Sequence, residues 1–471
     1  MTTPLLLILV AAMAFLATHV AYEWLAKRLL IVSGAEYLVL GVLLGPQVTG
    51  LFSPAALDAF QPLVILGIGW MGIATGIPLR LTQLVRVPAV TYRLALVEGV
   101  VTIALVSAGA ASAFSYGFQL DRAAALIPAI ALGAIAVAST PAGLDVAFGG
   151  RRRSVPILQQ IEVAHGMDGL LGVLAFGGLI AFVHDSSPLL IRSLTTTEWI
   201  VVTLGIGALG GTLFHLFLGN EESPDRLVIA LGGAVILASG AAAYLDLSPA
   251  LATFVMGLIL ANSLRRPGPV TDVLRSGERP LYYVLLVMAG VSWRPESNIV
   301  WWLVIGHYLI LRTLAKLWGT GIVTWLNRAQ SRVGLDWGRA LIGQGRLTIA
   351  LALDYSRRDL PYGEVVFTCA AVSVLFTEFF AARFVRSAAE PLMLPLTQLT
   401  ATTEAVAGSV TDTVTHAIPG FLRGDREDQP PAYLDGATAE DVGDERSADG
   451  ADGADGRQQA TPTSLPAAED R

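Results

Sequence analysis

Charge is what this chain most conspicuously lacks. Only 15% of its 471 residues are Asp, Glu, Lys or Arg, while 54% are hydrophobic, against roughly 25% charged in an ordinary soluble domain. That scarcity excludes a typical soluble enzyme. Cysteine is almost missing as well: with Cys369 alone, neither a disulfide framework nor a cysteine-based metal site can be built. A strongly basic balance is also lacking. The formal charge of −7 arises in residues 425–471, which hold 13 acids and 4 bases and leave 27 bases against 25 acids, a net +2, for residues 1–424. A nucleic-acid partner is therefore not expected. No phosphate loop, catalytic triad or metal-ligand spacing lies outside the apolar blocks, so neither enzymatic activity nor a cofactor is expected.

What the chain has instead is long apolar blocks, recurring from the first residue to about 386. A helix crossing the bilayer needs about 20 mostly apolar residues at a rise of about 1.5 Å each. Thirteen blocks qualify, at 4–26, 34–51, 60–79, 88–116, 122–147, 155–184, 197–218, 225–244, 247–263, 278–293, 299–326, 337–355 and 361–386. Short cytoplasmic loops carry the excess of Lys and Arg. With the N-terminus outside, 18 bases fall in the inner loops, among them Lys27, Arg28, Arg80, Arg86, Arg93, Arg151 and Arg265, and five fall outside at Arg122, Arg192, Arg294, Arg357 and Arg358. The C-terminus is then cytoplasmic. A cleaved leader is the competing reading of residues 1–25, but the charges follow the apolar run instead of preceding it. The expected organisation is a transmembrane domain at 1–386, a cytoplasmic stretch at 387–424 with a short interfacial helix, and a disordered acidic tail at 425–471 whose Asp-, Gly-, Ala- and Pro-rich composition cannot bury enough surface to fold.

Two strings match a dinucleotide fingerprint, one at Gly67, Gly69 and Gly72 and the other at Gly205, Gly207 and Gly210. Both lie inside apolar spans with no strand before them, so close helix approach is their expected role. The informative residues are ionisable ones at mid-membrane depth, each costing about 2.5–3.5 kcal/mol on insertion scales. Asp168 lies about 13 residues into its span, flanked by Gly166, Gly169 and Gly172, which are expected to leave room for water or an ion. Desolvation disfavours its charged form and a nearby cation favours it, so a proton and a metal ion compete for the carboxylate. Glu162 and His165 precede it by six and three residues. They are placed to line a proton access path or to sense pH, the alternative for His165 being a hydrogen-bonded helix contact.

Two spans are interrupted. Ser139, Thr140, Pro141 and Gly143 fall near the middle of the fifth, and Gly343, Gln344, Gly345 and Arg346 fall inside the twelfth. Pro removes an amide donor and disfavours helix at the residue before it. Broken backbone is tolerated at such depth only where it lines a cavity or is buried in protein. Two breaks in corresponding halves point to a transport site built from inverted repeats, and their half-helix ends need compensating charge, for which Asp145 and Arg346 are candidates. A proline kink with glycine packing is the alternative. In the eleventh span Arg312 needs an acid or backbone carbonyls, whereas Lys316, nearer the cytoplasmic end, is expected to snorkel. Glu98 is expected to pair with Arg312 or Arg346, and Glu378 with Arg383.

The order, spacing and depth of these strings resemble the monovalent cation:proton antiporter superfamily, in its bacterial sodium/proton exchanger branch, over residues 1–386. "YLVLGVLLGP", ending in Gly45 and Pro46, is similar to that family's second-helix pattern, and "FVMGLILANS" to its ninth-helix counterpart. "AVASTPAGL" stands where the family carries a Thr-Asp-Pro type break, "GMDG" where it carries Asn-Asp or Asp-Asp, and "GQGRLTIAL" where it carries a Gly-rich break often followed by Arg. Arg312 matches a basic residue in a core helix. The resemblance implies an all-α polytopic fold of about thirteen transmembrane helices, with inverted repeats and two discontinuous crossing helices. It also implies a homodimer, elevator-type movement, and ion binding by Asp168 with help from Thr140, Ser139 and nearby backbone. Thr140 departs from the pattern in place of an acid, and Met167 in place of the polar neighbour of the aspartate. The loss at Met167 implies one-for-one exchange.

The function expected is exchange of protons for Na+ or K+ across the plasma membrane by alternating access at a mid-membrane carboxylate, with no metal beyond the transported cation. The alternatives are a sodium-coupled symporter of an organic anion, bound by Arg346 and Arg312, and a cation channel or non-transporting sensor.

Overall fold

The computed structural model of the chain describes residues 34–52, 54–85, 87–148, 156–184, 193–219, 221, 223–264, 268–326, 336–358 and 360–387. The first expected span, much of the basic-loop tally, the interfacial stretch and the acidic tail lie outside the described residues. Within them the chain is helical throughout, with no strand. The elements are α1 (Ala35–Leu44), α2 (Pro54–Gly76), α3 (Ala89–Gly117), α4 (Arg122–Val137), α5 (Ala142–Phe148), α6 (Pro156–Val183), α7 (Thr196–Leu218), α8 (Pro224–Tyr244), α9 (Pro249–Ser263), α10 (Gly268–Ser292), α11 (Ile299–Leu326), α12 (Asp336–Ala340), α13 (Arg346–Ser356) and α14 (Gly363–Ser387). Eight stretches among the described residues are long and apolar enough to cross a membrane.

Local chemistry marks the helix starts. Asp121 accepts from the Ala123 amide at 3.3 Å to cap α4. Thr195 and Glu198 form a reciprocal capping box on α7, and Ser248 caps α9 ahead of Pro249, which occupies the first turn where its missing N–H costs nothing. Three spans differ from the sequence expectation, the third by starting at Pro54, six residues before the expected 60. The tenth begins at Gly268, ten residues before the expected start at 278, because a charged turn containing Asp272, Arg275 and Glu278 continues the helix beyond its apolar half. The second is helical only over Ala35–Leu44; Gly45 is extended and Pro46 follows it, which stops the helix.

Glycine sets how closely the helices pack. A Cβ on Gly41 of α1 would lie 2.2 Å from Val287 O, and one on Gly290 of α10 would lie 2.1 Å from Leu38 O. The same reciprocity joins α2 to α9, where a Cβ on Gly76 would meet Phe254 O at 2.3 Å and one on Gly257 would meet Ile73 O at 2.7 Å. The two fingerprint strings belong to this packing: Gly72 faces Ala250 and Thr253, and Gly207 lies against Ala252 O. Backbones this close gain dispersion contacts that lipid would not supply.

One string supplies its own control. Gly207→Ala would put a methyl 2.1 Å from the Ala252 carbonyl oxygen, whereas Gly205→Ala, two residues earlier, meets nothing within 4 Å. Gly207→Ala is expected to destabilise the purified protein by about 1–3 kcal/mol through overpacking, and Gly205→Ala to leave it unchanged or slightly stabilised. Thermal unfolding in detergent measures both; equal effects would contradict this packing.

Candidate functional site

Both expected interruptions are present. Residues 138–141 separate α4 from α5, and residues 341–345 separate α12 from α13. They meet: the Thr140 amide donates to Gly343 O at 3.0 Å. The side chain of Gln344 donates to Ile135 O at 3.1 Å, its amide donates to Thr377 Oγ1 at 3.1 Å, and its Oε1 accepts from the Ser373 hydroxyl. α14 thus supports the second break. Glycine permits the crossing, since a Cβ on Gly345 would press on the Thr140 side chain at 3.2 Å and one on Gly143 would meet the Ala381 backbone at 3.1 Å. Thr140 Oγ1 turns back toward the Ala142 amide at 3.5 Å, with Pro141 between them.

Breaking a helix leaves carbonyls at the end of its first half without amide partners, and those ends attract positive charge. Arg312 of α11 supplies it. Its Nε donates to Ala136 O at 3.0 Å and its Nη1 to Ile342 O at 2.7 Å, so one guanidinium holds the carbonyl ends of both α4 and α12. Backbone carbonyls, one of the two partner classes foreseen for this residue, are what it binds. Arg346, foreseen as a compensator of the break, instead forms an ion pair with Glu278 of α10. The side chain of Asp145 lies outside the described residues.

One turn along α11, Lys316 departs from expectation. A snorkelling lysine would reach the surface, yet Lys316 is 0% exposed, because three acceptors surround its ammonium. It donates to Asp168 Oδ2 at 2.7 Å and to Val137 O at 3.0 Å, and it pairs with Glu98 Oε1 at 3.1 Å. Glu98 on α3 therefore takes neither expected arginine; its second partner is the Thr102 hydroxyl at 2.8 Å. Lys316 is the residue that sequence reasoning passed over. The available signal was its spacing: four residues from Arg312, it lies on the same helical face and points at the same break. Glu378, assigned to Arg383 from sequence, accepts from Tyr282 OH at 3.2 Å.

Asp168 stands at the centre. It is 0% exposed, and Oδ2 also accepts from Ser139 Oγ at 2.5 Å. Ser139 Oγ lies 2.7 Å from His165 Nδ1, which makes His165 part of the cluster. Oδ1 of Asp168 has no hydrogen-bond partner among the described residues. Glu162 lies further along α6, half-buried. The flanking glycines do not leave the space expected of them: a Cβ on Gly169 would meet Thr75 Cγ2 at 2.6 Å and one on Gly172 would meet Ala134 O at 3.0 Å. Neighbouring helices have moved into that space, which brings Asp168 up to the break. Met167 faces the other way, into the apolar cluster of Leu94, Leu144, Leu158 and Ile161.

Two carboxylates, one lysine, one histidine and a serine thus share one buried site, with an arginine one helical turn away. A carboxylate oxygen with spare lone pairs, a hydroxyl and break carbonyls are hard oxygen ligands suited to a small cation or a proton. No group of three or more His, Cys, Asp or Glu arranged to hold a resident metal occurs among the described residues.

The sequence profile of the family described as "Sodium/hydrogen exchanger, transmembrane" matches residues 13–386. Among curated protein sequences none matches. Among solved structures, the sodium proton antiporter MjNhaP1 from Methanocaldococcus jannaschii at pH 8 superposes with a TM-score of 0.59 at 17% identity, covering 81% of this chain and 98% of that one. An electron-microscopy structure of the same antiporter gives a TM-score of 0.56 at 16% identity, covering 84% and 98%. These likenesses establish the fold.

The ion pairs set the stability of the site. Lys316→Met is expected to cost about 3–5 kcal/mol, because it leaves buried carboxylates uncompensated. In an Asp168→Asn background the same change should cost less, with a coupling energy of about 1–3 kcal/mol. A double-mutant cycle of thermal unfolding measures this, and strictly additive losses would mean that the two side chains do not interact.

Proposed function

The chain belongs to the sodium/hydrogen exchanger family, and from that premise we propose that it is a secondary antiporter exchanging protons for Na+ or K+ at Asp168. The observation that carries this reading is the carboxylate itself. Asp168 is fully buried at the meeting of two broken helices, with one oxygen held by Lys316 and Ser139 and the other without a hydrogen-bond partner among the described residues. A bare charge at that depth is penalised. Either a proton or an alkali cation relieves the penalty, and one oxygen cannot hold both, so occupancy by one expels the other. Loaded states are the ones free to cross between the two membrane faces, which couples the two flows. Ser139, Thr140 and the break carbonyls complete the ligand set, and Glu162 and His165 lie on the path of the proton.

The internal geometry supports inverted repeats. Exchanging the second span with the ninth and the third with the tenth turns the α1–α10 glycine contact into the α9–α2 contact, and both are reciprocal. The same exchange relates Ser139 of the first break, bonded to Asp168 of the sixth span, to Gln344 of the second break, bonded by Ser373 of the thirteenth. A fold built this way works by movement of the broken-helix core past a scaffold, as a homodimer in the plasma membrane, with the N-terminus outside and the C-terminus cytoplasmic. The transmembrane domain spans 1–386, followed by the stretch at 387–424 and the acidic tail at 425–471. A symporter of organic anions is disfavoured, because Arg346 is paired with Glu278 and Arg312 grips two carbonyls.

The test is purified protein in liposomes with a pH-sensitive dye and successive additions of Na+, K+ and Li+. Wild type is expected to move protons on addition of Na+ or K+, and Asp168→Asn to abolish this while the protein still folds and inserts. Exchange retained in that variant would refute the assignment.

A further inference from the structure

Glu98 plays no part in the exchange as described so far, yet it is 0% exposed and sits in the same cluster as Asp168. Its placement depends on a close approach of two helices: a Cβ on Gly319 of α11 would lie 2.8 Å from the Glu98 Cα. Because position 319 is glycine, α3 comes near enough for the Glu98 carboxylate to reach the ammonium of Lys316, one turn away on α11, with Oε1 at 3.1 Å and Oε2 at 3.3 Å. The Thr102 hydroxyl holds that carboxylate from the other side at 2.8 Å. Lys316 thus spends its three donors on Asp168, Glu98 and Val137 O.

A cation that reaches Asp168, even at Oδ1, must compete for the charge of the carboxylate with the ammonium already on Oδ2. A lysine with only a carbonyl left to it would be an uncompensated buried charge, and it would hold on to Asp168. We propose that Glu98 is a positioning residue for cation binding: it keeps the charge of Lys316 paired when the transported ion takes Asp168, and so sets the affinity for that ion. The inference rests on the antiport reading of Asp168 and adds to it a second carboxylate, on a different helix, that never touches the ion. Lys316 is then a shared counter-charge that passes its allegiance from one acid to the other as the site fills and empties. The sequence motif at 166–169 has Met167 beside its aspartate; the second acid of this site comes from α3 instead.

The test measures the apparent KM for Na+, and separately for K+, in liposomes at one fixed pH. Glu98→Gln should raise KM roughly tenfold or more, since losing one favourable ion-pair partner shifts a binding equilibrium by about that factor. Removing the lysine as well, in Glu98→Gln with Lys316→Gln, should bring KM back down, because no ammonium then competes for Asp168. A purely structural role for Glu98 would not be rescued by a second lesion. Glu98→Asp keeps the charge but withdraws it, and Gly319→Ala pushes α3 away without touching the acid; each should raise KM by a smaller factor, and they carry the test if the Gln variant does not fold. A wild-type KM in Glu98→Gln or Glu98→Asp, with only rate or yield reduced, overturns the inference and leaves antiport standing. Absence of cation-driven proton movement in wild type overturns the antiport reading instead.

Discussion

A single ammonium group holds the centre of this molecule together. Lys316 lies between Asp168 on α6, Glu98 on α3 and the Val137 carbonyl at the end of α4, so three helices converge on one charge. Each acid alone at that depth would cost several kilocalories per mole, and so would the lysine. Together they are tolerated because each acid faces the ammonium and the hydroxyls of Ser139 and Thr102 donate to the two carboxylates. Arg312, one turn away, does the same for the backbone by gathering the carbonyl ends of α4 and α12. Side-chain ion pairs and helix-end compensation are two solutions to one constraint, the burial of charge in the interior of the bundle.

The glycine pattern serves the same constraint from the outside. Helices that approach until a Cβ would touch a carbonyl, as at Gly41, Gly290 and Gly207, leave little room for solvent between them. The flanking glycines of Asp168 work similarly. They admit Thr75 and Ala134 instead of water, so the carboxylate is delivered to the break and the protein surrounds it. Met167 packs instead against the apolar cluster of α3, α5 and α6.

Most of this was legible in the sequence because it follows from strong, short-range signals. Apolar block length located the spans from α3 onward to within a few residues, the start of α10 apart, and Pro141 and the Gly343–Gly345 pair marked both breaks. Asp168 stood out because mid-membrane carboxylates are rare. The failures share a cause. Lys316 reads as a snorkelling residue, Arg346 as a partner of the break and Glu378 as a partner of Arg383 when only distance along the chain is known. The partners the structure gives them lie far along the chain, on helices that periodicity does not name: Glu98, Glu278 and Tyr282. Periodicity places a side chain on a face but does not say which face it meets. The early start of α10 escaped for a different reason, since its first ten residues, with Asp272 and Arg275 among them, carry no long apolar signal while their backbone is helical.

The hydrogen bond from the Thr140 amide to Gly343 O has a mechanical meaning. It joins the two interruptions at one point, and Arg312 clasps a carbonyl from each beside it, so the four half-helices share a fulcrum. A half-helix cannot swivel there on its own: it must either rupture that junction or drag the other three along. The coupling between the two halves of the chain therefore narrows to three hydrogen bonds at this junction.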